Sequence, residues 1–349
     1  MNTDLSPEDA LRLNVLLAGD LHAVRIDEGA MTLYALTPRG EAKVGLHRNC
    51  RPDLYVMRVR ELLGGHALGS PGGYPVHLRR WTRMGHSSAK NLEALLKLGE
   101  PEAVTAVAQA PTLSDELARR AWWALPTMEV ARHMLAQPAV RKGAMGKVLA
   151  DFLIEHLSFE EDPIHAMNSV RAVIGADLLG EDEAAQLWTK AKRRPHYFIG
   201  FLEHRPDALP AEGERTLPGE VAARAAAGAP WAKLLARCYA SSGQSFLRAT
   251  ELALEKPPAH EAVYLLLDII GNYFAAAREF PAAAADLSAG LTEDMQREVA
   301  AMLALSRASH ADAEPILTRT SAVGPLMRRH LEPLFEPLLQ PIRILRGIR

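Results

Sequence analysis

Leu68-Gly69-Ser70-Pro71-Gly72-Gly73-Tyr74-Pro75-Val76-His77-Leu78-Arg79-Arg80-Trp81-Thr82-Arg83-Met84-Gly85-His86 divides the chain into two kinds of sequence. Its first half holds two prolines and three glycines within seven residues, a density that excludes regular structure. Its second half is loaded with arginine and tryptophan. Before it, short β-type runs lie between two helical patterns. After it, helical spacing continues to the end with no convincing strand alternation.

Upstream, Ser6-Pro7-Glu8-Asp9 reads as a helix start: a capping hydroxyl, proline at the first helical position and acids in the first turn. That helix runs through Leu11, Leu13, Val15 and Leu17 to Gly19. Three strands are expected next, at His22 to Ile26, Ala30 to Leu36 and Glu41 to Leu46. Thr37-Pro38-Arg39-Gly40 forms the second turn of a small antiparallel meander. Asp53 to Leu63 returns to helical spacing and is expected to stop at Gly64-Gly65.

Downstream, Leu92 to Leu98, Pro101 to Ala108, Ser114 to Leu125, Thr127 to Leu135 and Met145 to Leu157 read as successive short helices. Pro206 to Pro218 is the longest apparent loop. Helices resume at Val221–Ala227, Trp231–Ala240, Ser245–Glu255, His260–Phe280, Thr292–Ser309 and Leu326–Phe335. Pro337 to Arg349 is then an apolar, basic tail. Helix pairs recur roughly every 30 residues, the scale of helical-repeat arrays. The expected fold is mainly α: a small α+β module over residues 1–88, then a HEAT-like, α-helical repeat-like array over 89–349, with a long loop near 206–218.

The 349 residues carry a formal net charge of −2, which gives no global nucleic-acid or membrane signal. Charge is uneven, however. Arg39 to Lys90 holds ten basic residues and three acidic ones, a local excess of +7. No apolar run approaches the ~20 residues of a membrane span. Met1 to Asp9 lacks the basic and apolar regions of a secretory signal. Two cysteines, Cys50 and Cys238, stand far apart in no metal-binding spacing, so a cytoplasmic setting is expected.

The Gly-Pro loop lacks the Gly-Lys-Ser/Thr ending of a phosphate loop and the strand–Gly-x-Gly-x-x-Gly–helix context of a dinucleotide site. Arg79, Arg80, Trp81 and Arg83, with Tyr74, His77 and His86 nearby, form the densest group of recognition residues. Guanidinium groups pair with phosphate or carboxylate, and an indole face stacks on a base. The cluster therefore suits RNA or an acidic protein surface; its plainer reading is a module junction with Trp81 packed on the first helices.

Thirteen histidines include no His-Glu-x-x-His. Glu155, His156, Glu160, Glu161, Asp162 and His165 read as an acidic helix end followed by Pro163 as a helix start. Cys50 lies between Arg48 and Arg51, three residues after His47. Positive neighbours lower a thiol pKa, making Cys50 a candidate reactive or persulfide-bearing thiol; an ordinary half-buried cysteine is the plainer reading. Cys238 reads as a small core residue of a helix. No nucleophile elbow occurs, and no enzyme activity, metal or cofactor is expected.

Four stretches together resemble one family: Pro7 to Leu17, Gly69 to Met84, Leu98-Gly99-Glu100-Pro101-Glu102-Ala103-Val104, and Glu116 to Ala124 with its Arg119-Arg120-Ala121-Trp122-Trp123. They are similar to the sulfur reduction protein DsrS family of the dissimilatory sulfite reductase cluster of sulfur-oxidising bacteria. That resemblance implies a cytoplasmic accessory or regulatory protein of Dsr-dependent sulfur oxidation, with a protein partner in the Dsr pathway. It carries no catalytic residue onto this chain. The expected mode of action is protein–protein contact on the helical array. RNA binding through the basic N-terminal face, or sulfur transfer through Cys50, are the alternatives.

Overall fold

A computed structural model describes residues 5–69, 89–211, 213–280 and 291–348. The protein is mainly helical with a three-stranded antiparallel sheet near its N-terminus. Chain contacts divide it into two compact units, Met1–His156 and Leu157–Arg349. The expected module boundary, between residues 88 and 89, falls at the edge of a stretch outside the described residues.

The first unit opens with α1 (Pro7–Leu17), where Ser6 Oγ accepts from Asp9 N at 3.2 Å. Strands β1 (Ala23–Asp27), β2 (Thr32–Thr37) and β3 (Gly40–Gly45) follow in that order across the sheet. Register places Val24, Ala35 and Ala42 in one row and Ile26, Leu33 and Val44 in the next. Both rows pack on Leu13 and Leu17 of α1 and on Tyr55, Val59 and Leu63 of α2 (Pro52–Leu68). The alternation of strand side chains puts Arg25, Tyr34 and Lys43 on the opposite face.

Helix α2 corrects one expectation: it passes through Gly64-Gly65 and ends at Gly69, whose φ is +63°. A helical glycine costs about 1 kcal/mol, which the buried face of Val59, Leu63 and Gly64 outweighs. The left-handed residue that stops a helix is supplied by Gly69 instead.

Helices α3 (Ala89–Leu95), α4 (Pro101–Ala108), α5 (Asp115–Ala124), α6 (Met128–Leu135), α7 (Pro138–Arg141) and α8 (Ala144–His156) complete this unit. Ser114 and Thr127 cap α5 and α6 as their sequence positions indicate. Asp115 reaches across to accept from Ala144 N and Met145 N, both at 3.0 Å, and so caps α8. The sheet is joined to these helices: Val24 N donates to Leu96 O at 2.8 Å, and Trp123 Nε1 donates to Glu41 at 3.0 Å. Arg25 lies between the rings of Tyr34 and Trp123.

The second unit contains α9 (Pro163–Ala176), α10 (Glu181–Ala191), α11 (Phe198–His204), α12 (Gly219–Ala226), α13 (Pro230–Tyr239), α14 (Ser241–Glu255), α15 (His260–Tyr273), α16 (Glu293–Ser306), α17 (His310–Leu317) and α18 (Gly324–Leu345). Asp162 caps α9 through Ile164 N and His165 N. Aromatic contacts fill its core, with Trp188 edge-on to Phe198 and Phe201 and Phe246 stacked on Tyr273 at 3.7 Å. The irregular stretch before α12 is tied down: Arg237 holds Asp207, and Arg215 N donates to Tyr239 O.

Two helix ends differ from the sequence reading. The helix expected over His260–Phe280 ends at Tyr273 and turns into a short 3₁₀ segment, Ala275–Glu279. Arg278 there donates to Ser306 O and Gly271 O, fixing the bend. The expected tail, Pro337 to Arg349, instead extends α18 to Leu345 through Pro333, Pro337 and Pro341. Each proline inside a helix removes a backbone donor and costs ~3 kcal/mol. Burial of Met327, Leu331, Phe335, Leu338, Pro341, Ile342 and Leu345 offsets that cost.

Candidate functional site around His47 and Cys50

Arg79, Arg80, Trp81 and Arg83, with Tyr74, His77 and His86, lie outside the described residues. Of the basic excess, the described structure holds Arg39, Lys43, Arg48, Arg51, Arg58, Arg60 and Lys90. Three of these five arginines meet an acid: Arg51 pairs with Asp53 at 2.8 Å, Arg58 with Glu61 at 2.8 Å and Arg60 with Glu28 at 2.9 Å.

Cys50 sits in the loop between β3 and α2, partly buried against the N-terminal core. Its Sγ lies 3.6 Å from the Arg51 carbonyl oxygen. The Arg51 guanidinium turns to Asp53 and stays largely exposed.

His47, on the same loop, is held by a side chain the sequence reading assigned only to a helix start. Asp9 is completely buried, and its carboxylate accepts from His47 N at 2.6 Å, from His47 Nδ1 at 3.0 Å and from the Tyr55 hydroxyl at 2.5 Å. Ser6 completes the cluster, its backbone N donating to the Tyr55 oxygen at 3.2 Å. Burial alone raises a carboxyl pKa. Here the donors Tyr55, His47 and Ser6 outweigh it and hold Asp9 below the ordinary carboxylate range. Burial and the Asp9 carboxylate together push the Tyr55 phenol up.

Because an ionised carboxylate only accepts, Nδ1 of His47 carries a proton. In the neutral ring Nε2 then bears the lone pair, on a side chain 62% exposed. A buried carboxylate orienting a histidine whose far nitrogen remains available for proton transfer is the arrangement general-base chemistry requires. The signal was present in the sequence: Asp9 lies four residues before Leu13 and eight before Leu17, on the apolar side of α1.

Cys238 is more deeply buried than Cys50. It is fully buried in α13, and burial pushes its thiol up to about 12. Two surface grooves also occur. One runs between α4 and α6, lined by Pro101, Glu102, Thr105, Gln109, Leu125 and Glu129. The other, of about 300 Å³, lies between α14 and α18 beside Leu254, Arg328, Phe335 and Leu339.

Among the described residues, no group of three or more His, Cys, Asp or Glu side chains is placed to hold a metal. Among the same residues, no helix is long and apolar enough to cross a membrane. Comparison with protein-family models, curated proteins and solved structures finds no match to this chain.

Proposed function

We propose that the protein is a cytoplasmic accessory protein of Dsr-dependent sulfur oxidation, acting by protein–protein contact rather than by catalysis. The resemblance of Pro7–Leu17, Gly69–Met84, Leu98–Val104 and Glu116–Ala124 to the DsrS family supplies the pathway. One observation carries the mode of action: the groove between α4 and α6 is open, has apolar lining at Pro101, Ala106 and Leu125, and bears Glu102 and Glu129 with no lysine or arginine among its described lining residues. That charge favours a basic partner surface. Crosslinking in cells oxidising sulfur is expected to recover a specific Dsr-pathway partner with the wild-type chain and to lose it with Glu102→Lys/Glu129→Lys. Recovery of no specific partner, or equal recovery with the charge-reversed chain, rejects this reading.

The Asp9–His47 pair favours a second reading, sulfur transfer through Cys50. The Cys50 thiolate attacks the terminal sulfur of a donor persulfide, forming a new S–S bond as the donor's S–S bond breaks. The donor thiolate leaves and takes up a proton; His47, three residues away on the same loop, is the residue proposed to relay it. Mass spectrometry after exposure to a persulfide donor is expected to show one added sulfur on Cys50 and none in Cys50→Ser. An unmodified Cys50 rejects it.

A further inference from the structure

Helix α18 has three prolines inside it, against one, Pro315, in α17 and none in α14 or α16. Pro333, Pro337 and Pro341 recur at every fourth residue, the spacing of the helical hydrogen-bond ladder itself. The carbonyls of Arg329, Pro333 and Pro337 therefore have no N–H four residues on to accept from. Pro333 and Pro337 are exposed and Pro341 is buried, so the gap in the ladder begins on the outer side of the helix and turns into its packed side at the last step. Its middle turns adjoin the open groove at Leu254, Phe335 and Leu339. On the inner side, α18 packs against α14, α16 and α17.

Side chains from other elements pin its two ends. Just before the helix, the His260 ring, at the start of α15, lies 2.9 Å from Ala322 O, with Nε2 as the facing atom. At the far end, Glu251 of α14 is 9% exposed and takes both Arg343, at 3.0 Å, and Arg346. The Leu345 carbonyl, one of the helix's terminal acceptors, is met by Arg215 Nη1 at 2.8 Å and Gln244 Nε2 at 3.2 Å. Arg215 is in turn held by Glu298 of α16 at 2.9 Å. A helix with a weakened ladder and strong terminal clasps opens as a unit once a clasp is lost, because little of its own hydrogen bonding remains to keep it folded.

We propose that α18 is a releasable latch: it undocks as one segment ahead of the rest of its unit, and the Glu251–Arg343/Arg346 clasp sets how often. Undocking uncovers the side of α14 that carries Glu251 and Leu254, so the latch controls access to that surface.

Peptide-resolved hydrogen exchange on the full chain tests this. Wild-type amides of 324–345 are expected to exchange at least tenfold faster than those of α14 and α16. Glu251→Gln is expected to accelerate 324–345 a further tenfold and leave α9 to α11 unchanged. Pro333→Ala/Pro337→Ala restores two donors to the ladder without touching the clasp, and is expected to slow exchange of 324–345 by tenfold or more. Exchange of α18 in step with α14 and α16 overturns the proposal. So does uniform acceleration of the whole unit by Glu251→Gln, or an unchanged α18 in the double proline variant.

Discussion

The carboxylate of Asp9 lies 2.5 Å from the Tyr55 hydroxyl and 3.0 Å from Nδ1 of His47. One buried side chain thereby joins α1, the loop after β3 and the second turn of α2, across 46 residues of sequence. Removing it costs the hydrogen bonds of a charged acceptor and strands a buried phenol. Asp9→Ala is expected to destabilise the first unit by about 3 kcal/mol, and Tyr55→Phe by about 1.5 kcal/mol. Urea titration read by peptide-resolved hydrogen exchange over α1, the sheet and α2 measures both; equal stability of Asp9→Ala and wild type contradicts the assignment.

The same pair sets a pH dependence. The Asp9 carboxyl is held below its ordinary value in the folded chain, so between the two values the unfolded state binds more protons. Its contribution is present above about pH 4, the unfolded value, and is lost as pH falls through the lower folded value. The wild type is expected to lose stability on acidification below pH 4 more steeply than Asp9→Asn.

A second, separable slope belongs to the other unit. Burial first, and the Arg194 charge second, push His196 down to about 4. The unfolded chain protonates this histidine near 6.5 while the folded one resists, so stability falls as pH drops from about 6.5 to about 4. His196→Gln is expected to flatten the urea midpoint over that interval. A slope unchanged by the substitution assigns the dependence elsewhere.

Two helical glycines have opposite expected effects. Among the described residues a Cβ on Gly65 of α2 meets nothing within 4 Å, so Gly65→Ala is expected to stabilise by about 0.5–1 kcal/mol. A Cβ on Gly271 of α15 falls 2.1 Å from the Ala308 carbonyl oxygen, a backbone atom that cannot turn aside. Gly271→Ala is expected to cost about 3 kcal/mol. Thermal unfolding of the pair checks the sign of each.

Thiol labelling separates the cysteines. With Cys238 fully buried and its thiol raised to about 12, native protein is expected to react with a thiol reagent at Cys50 alone. Denaturant should expose the second. Native labelling at Cys238 would show that α13 opens far more readily than its packing indicates.

Local chemistry made much of the architecture legible. Ser6, Ser114, Thr127, Asp162 and Thr292 cap helices where a short polar side chain precedes an apolar pattern. Thr37 to Gly40 turns the meander where proline and glycine sit together. Such signals act over three or four residues, so one sequence suffices to read them.

Other outcomes depended on residues far away in the chain. Gly64-Gly65 stays helical because neighbouring side chains are buried, and Pro333, Pro337 and Pro341 stay helical because α18 is packed along Met327, Leu331, Phe335, Leu338 and Ile342, with Pro341 itself buried. Local propensity opposed both, and tertiary burial outweighed it. Asp9 shows the same division within one residue. Sequence alone made it a helix-start acid next to a cap. Only the tertiary fold brought Tyr55 and His47 to its carboxylate, because hydrogen bonds between residues 38 and 46 positions apart leave no periodic trace in the sequence.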